Sequence, residues 1–131
     1  MSYHFSKTMK CSFDDAIASV TEALKNEGFG ILTTIDVQAT LKKKLNVDFR
    51  KYKILGACNP SFAYDALKLE AKIGTMLPCN VIVQEQADGK MEISAIDPVA
   101  SMGAVGNPAL TVIAKQVQAK LKKALENLVQ T

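Results

Sequence analysis

Hydrophobic residues along this chain follow two rhythms, one of two residues and one of three to four, and the switches between them mark out the elements. Tyr3-His4-Phe5-Ser6 alternates ring and polar residue, the pattern of a strand with one buried face. Phe13, Ile17, Val20 and Leu24 then recur at helical spacing. Ser12 and Asp15 have the form of a capping box and Gly28 is placed as a stop, so a helix is predicted from about Ser12 to Glu27. The β-branched run from Gly30 to Val37 predicts a second strand ending near Asp36. Leu41 and Leu45 lie four apart around Lys42-Lys43-Lys44, which suits a short helix with its lysines in water. Tyr52 to Ala57 forms a third strand. Asn59 then caps, and Pro60 opens, a helix with the stripe Phe62, Ala66, Leu69 and Ile73, ended by Gly74. Asn80 to Glu85 and Met91 to Ile96 are two antiparallel strands about an Asp88-Gly89 turn. The stretch from Asp97 to Asn107, with Gly103 and Gly106 among small residues, reads as a mobile loop. After it, Asn107 caps and Pro108 opens a last helix carrying Leu110, Ile113, Val117, Leu121, Leu125 and Leu128.

With the short lysine-bearing helix set aside, the order is β-α-β-β-α-β-β-α. Short connections make this an α+β fold, a mainly antiparallel sheet with helices packed on one face. The expected core is Phe13, Ile17, Val20, Ile54, Phe62, Leu69, Val81, Val83, Ile93, Ile113, Val117 and Leu121. Ile82 and Ile96 fall on the opposite face, and two isoleucines facing water invite a second copy of the chain, so a homodimer is expected.

Length and composition narrow the classes. A chain of 131 residues, 48% hydrophobic and 22% charged, makes a single domain, 1–131, with enough apolar surface for its own core. The formal charge of +3 is too small to imply a polyanionic partner. Lys42, Lys43, Lys44, Arg50, Lys51 and Lys53 have only Phe49 and Tyr52 among them, too few stacking rings for a nucleic-acid surface. No stretch of about 18 apolar residues exists to cross a membrane, and no apolar run follows the first residues as in a secretion signal, so a cytoplasmic protein is expected. Three cysteines in such a chain read as free thiols.

Candidate chemistry gathers at two short runs, Gly56-Ala57-Cys58-Asn59-Pro60 and Leu77-Pro78-Cys79-Asn80-Val81. Cys58 precedes a helix N-terminus, where partial positive charge favours a thiolate. A helix of about 14 residues between the two runs spans roughly 20 Å, which would put Cys58 and Cys79 at opposite poles, beyond the ~7 Å Cα separation of a disulfide. The hairpin instead brings Cys79 opposite Asp97, with the Asn80 amide beside them and Met76 and Met102 in reach, soft sulfur of the kind Cu(I) accepts. The plainer alternatives are that the methionines fill gaps, Asp97 caps the next segment and the cysteines are small buried residues. His4, the single histidine, is far off in sequence, which argues against a Cys–His nucleophile.

The runs Ile54-Leu55-Gly56-Ala57-Cys58-Asn59-Pro60 and Leu77-Pro78-Cys79-Asn80-Val81, followed by Asp97-Pro98, together resemble the family known as domain of unknown function 302. The resemblance spans nearly the whole chain and implies a small α+β domain. It draws attention to Cys58, Asn59, Pro60, Leu77, Pro78, Cys79, Asn80 and Asp97, and implies no reaction. The reading is therefore a ligand- or protein-binding module acting as a homodimer, with Cys58, Asn59, Cys79, Asn80, Asp97 and Met102 as its ligand-binding residues, the sequence naming no cofactor either way and no metal, nucleic acid or membrane being expected. The alternative is a thiol-redox or soft-metal-handling protein using Cys58 or Cys79.

Overall fold

Short-range signals start and stop most of the helices in the computed structural model, which describes residues 2–128. Ser12 Oγ accepts from the Asp15 amide at 3.1 Å and opens α1, Phe13–Asn26. Asp36 caps α2, Val37–Leu45, by accepting from the Ala39 amide at 2.9 Å. Three segments then begin with a cap residue followed by proline: α3, Pro60–Leu69, after Asn59; α4, Pro98–Met102, after Asp97; and α5, Pro108–Glu126, after Asn107. Proline suits the first helical position because its missing N–H has no partner there in any case. Asp97 and Asn107 each accept from the amide two residues on, at 2.9 and 3.0 Å.

Five strands form one antiparallel sheet: β1, His4–Met9; β2, Gly30–Asp36; β3, Tyr52–Cys58; β4, Cys79–Glu85; β5, Met91–Ile96. Their order is β1-β5-β4-β3-β2, so the first two strands take the two edges. Side chains alternate across a strand. Met9, Leu55, Ala57, Cys79, Val81, Val83, Met91, Ile93 and Ala95 point one way and pack beneath α1 and α5 with Phe13, Ala16, Val20, Leu24, Val117, Leu121 and Leu125. A smaller cluster of Ala66, Ile73, Met102, Leu110 and Ala114 joins α3, α4 and the start of α5. Lys7 reaches from β1 to the end of α5, where its Nζ donates to the carbonyls of Glu126 and Leu128 at 3.3 and 3.1 Å. A cation there answers the unpaired carbonyls of a helix C-terminus.

The predicted α+β fold and element order are those of the structure, with three corrections. The stretch expected to be a mobile loop is α4 and a 3-10 turn, Gly103–Val105, with Pro98 and Met102 buried. The helix expected to run to Ile73 stops at Leu69, because Glu70 turns extended and caps a new 3-10 turn, Ala71–Met76. That break leaves Leu69 exposed, while Ile73 is buried from the turn that follows. Ile54, expected in the core, pairs with Ile82 and lies on the face that the helices leave bare.

Candidate functional site

The six residues expected to bind a ligand separate into three groups. Ala57 pairs with Cys79, so Cys58, the last residue of β3, lies beside the first residue of β4. The opposite-pole expectation is wrong for a simple reason: β3 and β4 are adjacent antiparallel strands, and the 3-10 turn after Leu69 brings the chain back to the pole it left. Cys58, Asn59, Cys79 and Met102 border one cavity with Phe29, Phe62 and Val117. Asn80 points to the other side of the sheet. Asp97 directly follows β5, and its carboxylate is already engaged. One oxygen accepts from the Val99 amide and from Gln118 Nε2 on α5, both at 2.9 Å, which ties α4 to α5.

The sulfur-lined cavity is small and apolar. Its volume of about 30 Å³ holds one or two water molecules, against the roughly 300–1,000 Å³ of a small-molecule site. Burial, and secondarily the neighbouring Cys58, raise the Cys79 thiol from about 9 to about 11, so it is a neutral thiol at pH 7. Cys11 is also raised, by burial and then by Asp15. Asn59 spends its amide on structure, donating from Nδ2 to the Glu27 carbonyl at 3.3 Å where α1 ends, in place of the side-chain cap expected of it. Gly56 sits where a side chain has no room: a Cβ there would run into the Thr33 hydroxyl and come within 2.7 Å of the Pro78 ring. Met76, expected near Met102, is exposed on a different surface beside Thr75, Leu77 and Asn80.

A larger feature lies on the bare face. There β1, β5, β4 and β3 present His4, Ser6, Glu92, Ser94, Ile96, Asn80, Ile82, Gln84, Tyr52 and Ile54. Of these, all but Ser6 and Ile54 line, with Tyr3, a groove of about 360 Å³. Its polar floor is wired: Ser6 and Ser94, paired across strands, share a hydrogen bond of 2.7 Å, and Ser6 Oγ lies 3.1 Å from His4 Nδ1. At the other end Arg50 Nε donates to Gln84 Oε1 at 2.9 Å, and Gln84 Nε2 donates to Glu92 at 3.2 Å. Gln86 Nε2 donates to the second Glu92 oxygen at 3.3 Å. Glu92 has no ion-pair partner among the described residues, and no lysine or arginine lines the groove. Of these residues only Asn80 was a candidate from sequence. The signal was the outward alternation Asn80-Ile82-Gln84 and Glu92-Ser94-Ile96, where polar and apolar residues share one face.

The family model for domain of unknown function DUF302 matches residues 5–128. The chain belongs to this family. The crystal structure of an uncharacterized conserved DUF302 protein from Bacillus stearothermophilus is similar over 98% of this chain and 100% of that one, with a TM-score of 0.91 and 29% sequence identity. No curated protein matches. Among the described residues, no helix of this DUF302 chain is long and apolar enough to cross a membrane.

Proposed function

We propose that this DUF302 chain is a binding module that works as a homodimer and takes a small, neutral or positively charged molecule in the groove on its bare sheet face. The observation that carries this reading is the groove itself, about 360 Å³, with amide, hydroxyl and carboxylate groups set among Ile82, Ile96, Tyr3 and Tyr52. A mixed lining of that size is what small-molecule recognition uses. The Glu92 carboxylate, hydrogen-bonded to two glutamine amides but in no ion pair, disfavours anions and favours an ammonium or amidinium group. In the test, a panel of neutral, cationic and anionic compounds is screened by thermal shift against the wild type and Ile82→Arg. Binding of neutral or cationic compounds that Ile82→Arg abolishes supports the reading. Binding of anions alone, or binding indifferent to Ile82→Arg, overturns it.

A second reading, soft-metal handling, has one observation in its favour: Cys58, Cys79 and Met102 border the same cavity. Loading would require Cys79 to lose its proton, so affinity for Cu(I) would climb with pH up to about 11. Titration with Cu(I) at pH 7 and pH 9 tests it, and the absence of binding at both sinks it.

A further inference from the structure

The two edges of the sheet are finished differently. β1 carries His4 and Lys7, and Lys7 fastens the end of α5 against it. Charges and covering segments are the usual ways of blunting an edge. β2 has no such finish. From Gly30 to Ile35 it is uncharged, free of proline and rich in β-branched residues, and of its seven residues only Ile31 is not exposed. Leu32 is 67% and Ile35 48% exposed. Ile31 packs against the core, but from Leu32 to Asp36 every residue is exposed, and no strand neighbours the outer edge.

The hairpin that β2 makes with β3 continues this bare surface. α2, inserted between the two strands, has no buried residue. Its stripe of Val37, Leu41 and Leu45 ends in a leucine that is 65% exposed, with Val47 following at 43%. Four large apolar side chains on one hairpin are thus left in water, next to a row of unpaired backbone donors and acceptors.

We infer that β2 is the self-association surface of this chain, pairing antiparallel with β2 of a second copy across a two-fold axis perpendicular to the sheet. Charge selects the occupant and the sense. In antiparallel pairing the acidic end of each strand, Asp36, meets the uncharged Gly30 end of the other, whereas parallel pairing would set Asp36 against Asp36. A C2 interface is self-complementary, which a strand with no charge in its middle satisfies without a specialised partner. A standard interface buries roughly 800 Å² per partner. A single short edge supplies only part of that, and Leu45 and Val47 extend it. The result is a continuous ten-stranded sheet with both grooves open on the same face. This inference rests on the homodimer reading and not on what the groove binds.

Sedimentation velocity at micromolar concentration, on the wild type, on Leu32→Lys/Ile35→Lys and on Ile82→Arg, tests it. The expected result is a dimer for the wild type and Ile82→Arg, and a folded monomer with wild-type circular dichroism for the double variant, whose two positions are solvent-exposed in the single chain. Backbone amides of β2 should exchange slowly in the dimer and quickly in the monomeric variant. A wild-type monomer overturns the homodimer reading together with this surface. A dimer that survives Leu32→Lys/Ile35→Lys with fast β2 exchange, or that Ile82→Arg dissociates, overturns the surface alone.

Discussion

The two faces of the sheet are made from alternate residues of the same strands, yet one is closed and the other is open. On the covered face Val81, Val83, Ile93 and Ala95 are fully or almost fully buried under α1 and α5, and the cysteine-bordered cavity at its end has room for little besides water. On the bare face their neighbours Asn80, Ile82, Ser94 and Ile96 line a groove some twelve times larger. The difference teaches that the thiols, the most conspicuous chemistry in the sequence, are on the side used for stability. The side that no helix covers is the one where polar and apolar residues mix.

The largest effect expected is on packing. Ile93→Ala should cost about 2–5 kcal/mol by chemical denaturation, because the cavity it leaves is walled by the core on every side. Ile82→Ala, one strand away and half-buried on the bare face, should cost clearly less. Equal losses would break the distinction between the faces.

Next in size is the pH dependence of Cys79. Its folded-state pKa is raised, so the folded chain holds that proton more tightly than the unfolded one. Stability from this group is complete below about pH 9 and is lost as pH rises towards about 11, by roughly 2–3 kcal/mol. Cys79→Ala should flatten that alkaline loss in a urea titration repeated at several pH values. For the same reason iodoacetamide should modify Cys79 of the folded chain slowly at pH 7.

Gly56→Ala should destabilise by about 1–3 kcal/mol, since the added methyl meets the Thr33 hydroxyl and the Pro78 ring. Thr33→Ala/Gly56→Ala, which removes the hydroxyl, should not recover it fully, as the Pro78 ring remains. The smallest effect separates two roles for Asp97. Asp97→Ala loses a cap and the Gln118 bond and should lower stability by about 1–2 kcal/mol. Asp97→Asn should lose much less, because a single oxygen accepts both bonds and an amide oxygen can do the same. A large loss in Asp97→Asn would mean that the charge itself matters at this rim.

Much of the fold was legible because its signals are local. Ser12, Asn59 and Asn107 sit at helix starts, and the Asp88-Gly89 turn, with Gly89 at φ +83°, joins β4 to β5 as its composition demands. Asp97-Pro98 carries the same cap-and-proline signal, but the glycines that follow masked it, and a packed helix was read as a loop. The candidate site was less legible because its geometry is long-range. Which pole Cys79 returns to depends on β3 and β4 being neighbours, and the serine pair of the groove depends on β1 crossing the molecule to lie beside β5. Asn59 illustrates the limit at a single residue: its type and position said cap, while its side chain instead holds the end of α1, thirty-two residues earlier.

The most direct test of the claim that binding belongs to the bare face is an NMR map of backbone amide shifts in nitrogen-labelled chain, titrated with the neutral and cationic compounds that raise its melting temperature. The account predicts perturbations concentrated at His4, Asn80, Ile82, Ser94 and Ile96. Perturbations concentrated instead at Ala57, Cys79, Met102 and Val117 would contradict it and return the function to the sulfur-lined cavity.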